Sequence, residues 1–179
     1  MGGVRSFLCS LALAACFSLN GCGYHLAAGG GAPSLIAGKT VTIPMWRNSS
    51  YRPNLEAVLT GSLINEFALR SGGKVVAEEA ADLALTGTIV SYVTTAVSYT
   101  AADQIREYRA TMTVEAALAE RKNQKVLWKG RLSASQDYPT TANSIPQHIA
   151  LQQNSEEAAL RELSRRLAQQ LYQKMTENF

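Results

Sequence analysis

Apolar and polar residues alternate along the middle of the chain with the period of a β-strand. In "ADLALTGTIVSYVTTAVSYT", Leu83, Leu85, Ile89, Val93, Val97 and Tyr99 all hold odd positions, which predicts one apolar face. Thr86, Thr88, Tyr92, Thr94 and Ser98 fall on the other, and Gly87 interrupts the apolar row as a bulge or bend would. "REYRATMTVEAALAE" repeats the pattern with Tyr108, Met112, Val114 and Leu118 on one face. "KVLWKGRLSASQDY" does so with Val126, Trp128, Leu132 and Tyr138. The connections "AADQ" and "RKNQK" are short enough for hairpins. Matching apolar faces across the second turn sets Glu115 opposite Arg131 and Arg109 opposite Asp137. Opposite charges facing across strands favour that register by about 0.2–1 kcal/mol each.

Flanking this region the period changes. Upstream, "KTVTIPM" predicts a first strand over Lys39–Met45, with Pro44 ending it or placing it at an edge. "WRNSSYRP" reads as a loop, after which Leu55, Leu59, Leu63 and Phe67 recur four apart. That stripe predicts a helix from Pro53, in the first turn, to Arg70, stopped by Gly72-Gly73. Downstream, Leu160, Leu163, Leu167, Leu171 and Met175 form the seam of a second helix, and Asn154 with Glu157 has the spacing of a capping box. The predicted order is β-α-β-β-β-α. It fits an α+β two-layer sandwich, a four-stranded mixed sheet with two helices on one face. The other face is left rich in Thr, Ser, Arg and Glu.

The N-terminus follows a different rule. Arg5 is its only charge before an apolar run from Phe7 to Leu19, too short for a stable membrane-spanning helix, which needs about 20 apolar residues. This is the layout of a secretion signal. Two cysteines end aliphatic-x-small stretches of the lipobox kind: Cys16 after Leu13-Ala14-Ala15, and Cys22 after Leu19-Asn20-Gly21. In lipoproteins such a cysteine carries a diacylglycerol and, on its new amino terminus, an acyl chain. Three chains at about 0.8 kcal/mol per buried CH₂ anchor far more firmly than one. The residues after Cys22, to Gly38, are glycine-rich and read as a tether reaching about 20 Å. The expected division is a leader over 1–21, lipidated Cys22 and tether over 22–38, and an α+β domain over 39–179.

Composition narrows the function classes. All three cysteines, Cys9, Cys16 and Cys22, lie in this N-terminal region, so a chain starting at Cys22 keeps one thiol and forms no internal disulfide. His25 and His148 alone make a poor metal site. Seventeen basic against 14 acidic residues give a net charge of +3, without the dense basic stripe of a nucleic-acid binder. No Gly-x-Ser-x-Gly elbow is present, and "GGGAPS" follows no strand and lacks the Lys-Ser/Thr of a phosphate loop. Glu78-Glu79 and Glu156-Glu157 fit a turn and a helix start better than acid–base chemistry. The expectation is a protein that is not an enzyme and has no cofactor beyond the acyl chains. Arg106, Arg109, Lys129 and Arg131 cluster on adjacent strands or their ends. They fit either a cationic patch for a phosphate-bearing amphiphile or cross-strand ion pairs and solvated charge.

Three stretches, taken in order, resemble one family. "CGYHL" at the cysteine, "TVTIPMWRNSSYRPNLEAVLTGSLINEF" after the tether, and "ADLALTGTIVSY", "REYRATMTV" and "VLW" through the sheet are similar to LptE, the outer-membrane lipoproteins of lipopolysaccharide (LPS) assembly. In that family the lipidated cysteine precedes Gly-Tyr/Trp-His-Leu, which favours Cys22 over Cys16. The resemblance implies a location at the outer membrane, anchored from the periplasmic side, and a partner, the LPS-assembly β-barrel protein LptD. Family members plug its lumen, assist its assembly and bind LPS in transit. Gly23 after the cysteine carries no acidic inner-membrane retention signal. The turn Ala101-Ala102-Asp103-Gln104 departs from expectation in having no cation to meet LPS phosphates, with only Arg106 near. The competing class is a stand-alone periplasmic lipoprotein that binds or tethers other envelope components.

Overall fold

In the computed structural model, residues 34–71, 74–140 and 146–176 are described, with the side chains of 146–149 outside that set. The leader, Cys16, Cys22, His25, Gly72-Gly73 and the side chain of His148 lie outside the described residues. The elements are β1 (Val41–Thr42), β2 (Arg47–Asn48), α1 (Leu55–Ser71), a 3₁₀ turn (Glu78–Ala80), β3 (Leu83–Tyr99), β4 (Ile105–Glu120), β5 (Val126–Pro139) and α2 (Pro146–Thr176). The class and order match the sequence reading, except that the sheet has five strands rather than four. Its spatial order is β1-β3-β4-β5, with β2 also on β3.

The fifth strand arises because the predicted Lys39–Met45 strand is broken. Val41–Thr42 pairs with Leu83–Ala84 and Arg47–Asn48 with Thr88–Ile89, both parallel to β3. Between them the chain leaves the ladder at Pro44, as a residue with no N–H must, and turns Trp46 inward to 3% exposure. Asp82 fastens the start of β1: its carboxylate accepts hydrogen bonds from the N–H and hydroxyl of Thr40, both 2.9 Å long, which hold its pKa below the usual carboxylate value.

The β4–β5 hairpin has the expected register, with Glu115 opposite Arg131 and Arg109 opposite Asp137. Its buried face carries Ala110, Met112, Val114, Ala116 and Leu118 from β4, and Ala134 and Tyr138 from β5. Val126 corrects the expectation: a register shift beyond Leu118 moves it off the alternation, and it is 57% exposed.

A larger correction concerns β3. Its pairing with β4 slips between Ile89 and Ser91, so one extra residue, Val90, reverses the faces downstream. Leu83, Leu85 and Ile89 are buried as predicted, but the inward residue after the slip is Tyr92, 1% exposed. Val93, Val97 and Tyr99 are 49%, 39% and 59% exposed. The bulge is at Val90, not at Gly87. Gly87 keeps to the apolar row, and the missing side chain makes room for Trp46.

Both helices cover the same face. Leu55, Leu59, Leu63 and Phe67 of α1 and Leu160, Leu163, Leu167, Leu171 and Met175 of α2 join the sheet's apolar residues in one cluster. Truncating such a fully buried leucine to alanine costs about 2–5 kcal/mol. Tyr172 meets Phe67 edge-on, centroids 5.1 Å apart, and Arg70 lies over its ring. The second helix begins at Pro146, well before Asn154, which therefore sits inside the helix instead of capping it. Leu35 and Ile36, at the end of the stretch read as tether, pack on the core, and the Leu35 N–H donates to the carbonyl of Met175 at 3.0 Å.

Candidate functional site: the uncovered face of the sheet

The helices leave the opposite face of β3, β4 and β5 uncovered, and alternation decides what it shows. From β4 come Arg109, Thr111, Thr113, Glu115 and Ala117; opposite them on β5 stand Asp137, Ser135, Ser133, Arg131 and Lys129. Hydroxyls meet across the centre, Thr111 to Ser135 at 2.9 Å and Thr113 to Ser133 at 3.2 Å. Such pairs saturate one another and leave the middle of the face polar but uncharged.

Charge sits at the two ends. Arg109 donates from Nε and Nη2 to both oxygens of Asp137, at 2.7 and 2.8 Å, a bidentate pair. It raises the guanidinium pKa and lowers that of the carboxylate. Arg131 approaches Glu115 only to 3.8 Å. Lys129 is exposed and has no ion-pair partner among the described residues. Arg109, Lys129 and Arg131 thus share this face, as expected. Arg106 is exposed and lies at a register irregularity where β4 leaves its regular pairing with β3, before the β4–β5 ladder begins at Glu107, so alternation does not assign it to this face.

One cation beside this face escaped the sequence reading. Arg47, assigned there to a loop, lies on β2 opposite Thr88 and has no ion-pair partner among the described residues. With Met45, Thr86, Thr88, Glu115 and Lys129 it borders a shallow depression of about 450 Å³. A two-residue strand is too short to show periodicity, so its only signal was the edge position that Pro44 suggested. The depression offers one ammonium and one guanidinium group, threonine hydroxyls and one carboxylate. That set has the chemistry to accept an anion, and it contains no nucleophile with a base beside it. Among the described residues no three His, Cys, Asp or Glu side chains could hold a metal ion.

The LptE family model, described as lipopolysaccharide assembly, matches residues 38–175. The chain belongs to the LptE family. The match covers all five strands, α1 and α2 up to Met175, so the uncovered face lies wholly inside the LptE domain. The fold is shared with a solved structure. The rare lipoprotein B of Shewanella oneidensis is 18% identical with a TM-score of 0.50, over 73% of this chain and 92% of that one. A minor lipoprotein of Acinetobacter baumannii is 13% identical with a TM-score of 0.47, over 79% and 96%. No curated protein sequence matches.

Proposed function

We propose that this LptE-family protein is the plug and assembly subunit of a β-barrel LPS translocon, bound to the outer membrane through lipidated Cys22 and to an LptD partner. The observation that carries this reading is the uncovered sheet face. Its Thr/Ser ladder and exposed charges suit a barrel lumen, which is polar and wet, while the apolar residues of the opposite face are spent on the helices. A free apolar face would instead suit an interface that excludes water.

Arg47, Lys129 and Arg131 supply the second part of the role. Their cations can form charge-assisted hydrogen bonds with the phosphates of lipopolysaccharide. Arg109 contributes less, because Asp137 already occupies its donors. The protein works by binding and handing on, with no bond made or broken.

Affinity purification of the lipoprotein from outer membranes in mild detergent, with mass spectrometry of what accompanies it, tests the reading. A stoichiometric large β-barrel is expected. Recovery of the lipoprotein alone, under conditions that keep other barrel complexes together, would overturn it. Mass spectrometry of the mature N-terminal peptide in the same sample tests acylation at Cys22 against Cys16.

A further inference from the structure

The β3–β4 hairpin is built in two registers. At its base Leu83, Leu85 and Ile89 pair with Glu120, Leu118 and Val114, and the burial of all three fixes that pairing. Beyond Val90 the ladder resumes one residue further along β3, with Ser91, Tyr92 and Val93 opposite Thr113, Met112 and Thr111. On β4 the same stretch is regular, since its ladder with β5 is unbroken from Glu107 to Leu118. The extra residue therefore belongs to β3 alone. Two smaller irregularities around Ser98 cancel, so Tyr99 opposite Ile105 keeps the distal register. Had the base register continued, Val93 would face buried Ala110 on the helix side, and Tyr92 would face Thr111 on the open side. Nothing at Ile89-Val90-Ser91 calls for a bulge locally, because β-branched residues favour an unbroken strand.

The turn at the far end supplies the reason. The Thr100 N–H donates to the Gln104 carbonyl at 2.8 Å and the Asp103 N–H to the Thr100 carbonyl at 3.1 Å, which closes a loop of Ala101, Ala102 and Asp103. A three-residue hairpin loop ends in a left-handed residue, and Asp103 takes that place at φ 56°. The Thr100 hydroxyl oxygen accepts from the N–H groups of Ala102 and Gln104, at 3.3 and 3.2 Å. The base register would instead leave Ala101-Ala102 as a two-residue loop, which needs positive φ that alanine resists. We propose that the turn at Thr100–Gln104 and the bulge at Val90 are one conformational device: the turn sets the register of the distal hairpin, and the bulge absorbs its mismatch with the base. From the far end of the strand the turn thereby decides what the distal open face shows. It shows Val93, Thr95, Val97 and Tyr99, and keeps Tyr92 buried. The Tyr92 bond to Glu156 at 3.1 Å adds to the same choice.

The test uses the full-length lipoprotein in detergent and needs no barrel partner. Ala101→Asn with Ala102→Gly and Asp103→Thr favours a two-residue turn at unchanged chain length and removes the left-handed residue of the natural one. A water-soluble maleimide reads the faces, with the chain carrying no added thiol as the control for its own cysteines. In this turn variant Val93→Cys is expected to react at least several-fold more slowly than in the natural turn, while Met112→Cys stays protected in both. Val93→Cys that reacts equally fast in the two, with Met112→Cys still protected, would overturn the proposal and leave the register to Tyr92 and α2. Removing Val90 from the natural chain is expected to give one continuous ladder, with the fold kept and Val93→Cys still reactive. A Val93→Cys that becomes protected there would overturn the proposal, and this result decides even if the turn variant fails to fold. Removing Val90 from the turn variant leaves β3 one residue short, so the melting temperature should fall further than the two separate effects combined; simple additivity would overturn the coupling.

Discussion

The indole of Trp46 fills the place that a side chain on Gly87 would need. A Cβ built on Gly87 would lie 2.6 Å from Cζ3 of the ring and 2.7 Å from the carbonyl oxygen of Glu115. The indole N–H points to the Leu85 carbonyl at 3.4 Å, and the Trp46 N–H donates to the Thr60 hydroxyl at 3.1 Å. The gap in the apolar row of β3 is therefore filled by a ring from the segment just before β2, which ties that segment to both β3 and α1.

Gly87→Ala is accordingly expected to destabilise the fold by about 1–3 kcal/mol, the usual range for overpacking a core. Denaturant unfolding with an unchanged m-value would show it. Combined with Trp46→Leu, the two losses should fall short of their sum, because the smaller side chain removes one of the two clashes. The clash with the Glu115 backbone stays, so the rescue is expected to be incomplete.

Tyr92 is the residue whose burial the bulge creates, and its hydroxyl donates to Glu156 of α2 at 3.1 Å. Glu156 also lies 3.5 Å from Arg52. Tyr92→Phe keeps the packing and removes the bond, at a cost of about 1 kcal/mol. Burial, more than the nearby Glu156 charge, pushes the Tyr92 pKa well above its ordinary value of 10.0. The folded state therefore holds this proton longer than the unfolded chain does. Its contribution is intact below pH 10.0 and declines as pH rises beyond it. Urea melts between neutral and strongly alkaline pH should show a shallower alkaline loss for Tyr92→Phe, with a remainder from Tyr138, whose pKa burial also raises.

Acid reads out a second cluster on α2. Hydrogen bonds from Arg165, then Arg166, lower the Glu162 pKa from 4.5 to about 2. A depressed carboxylate stabilises above its ordinary pKa and loses that contribution as pH falls. Glu162→Gln should therefore be less stable than the natural chain at neutral pH, and the gap should close between pH 4.5 and about 2. The difference will be small, because solvent screens an exposed cluster. A gap that stays constant across this range would mean that the arginines act on Glu162 by packing alone.

Double substitution of Arg47 and Lys129 by alanine is expected to lower retention of LPS on the purified protein several-fold and to weaken its salt dependence. The melting temperature should not move, since neither side chain has an ion-pair partner among the described residues. Arg106→Ala, near the hairpin turn and outside the depression, should bind LPS like the natural protein. A larger loss from Arg106 than from the pair would relocate the lipid contact to the end of the hairpin.

What the sequence made legible depended on how many signals agreed. On β4 and β5, apolar alternation and the facing charges Arg109–Asp137 and Glu115–Arg131 point to one register, and that register is found. On β3 they do not agree. "SYVTTAVSY" alternates acceptably in either phase, and no glycine or proline marks Val90, so the face reversal had no local signal. The start of α2 was obscured differently. Asn154 and Glu157 imitate a cap inside a helix that Pro146 had already opened at the position where proline suits it best. Arg47 was lost because its strand is two residues long. Its partner in the depression, Lys129, was found because it sits on a strand of 14.

The hydrogen bond from Leu35 to Met175 places the point where the chain enters the folded unit beside the last turn of α2. Further along, β3 runs for 17 residues, about 50 Å at the rise of a strand, before the chain turns at Thr100. A hairpin of that length repeats its pattern every two residues, so lengthening or shortening β3 and β4 together by pairs of residues would move the turn along the strands without changing which face looks outward.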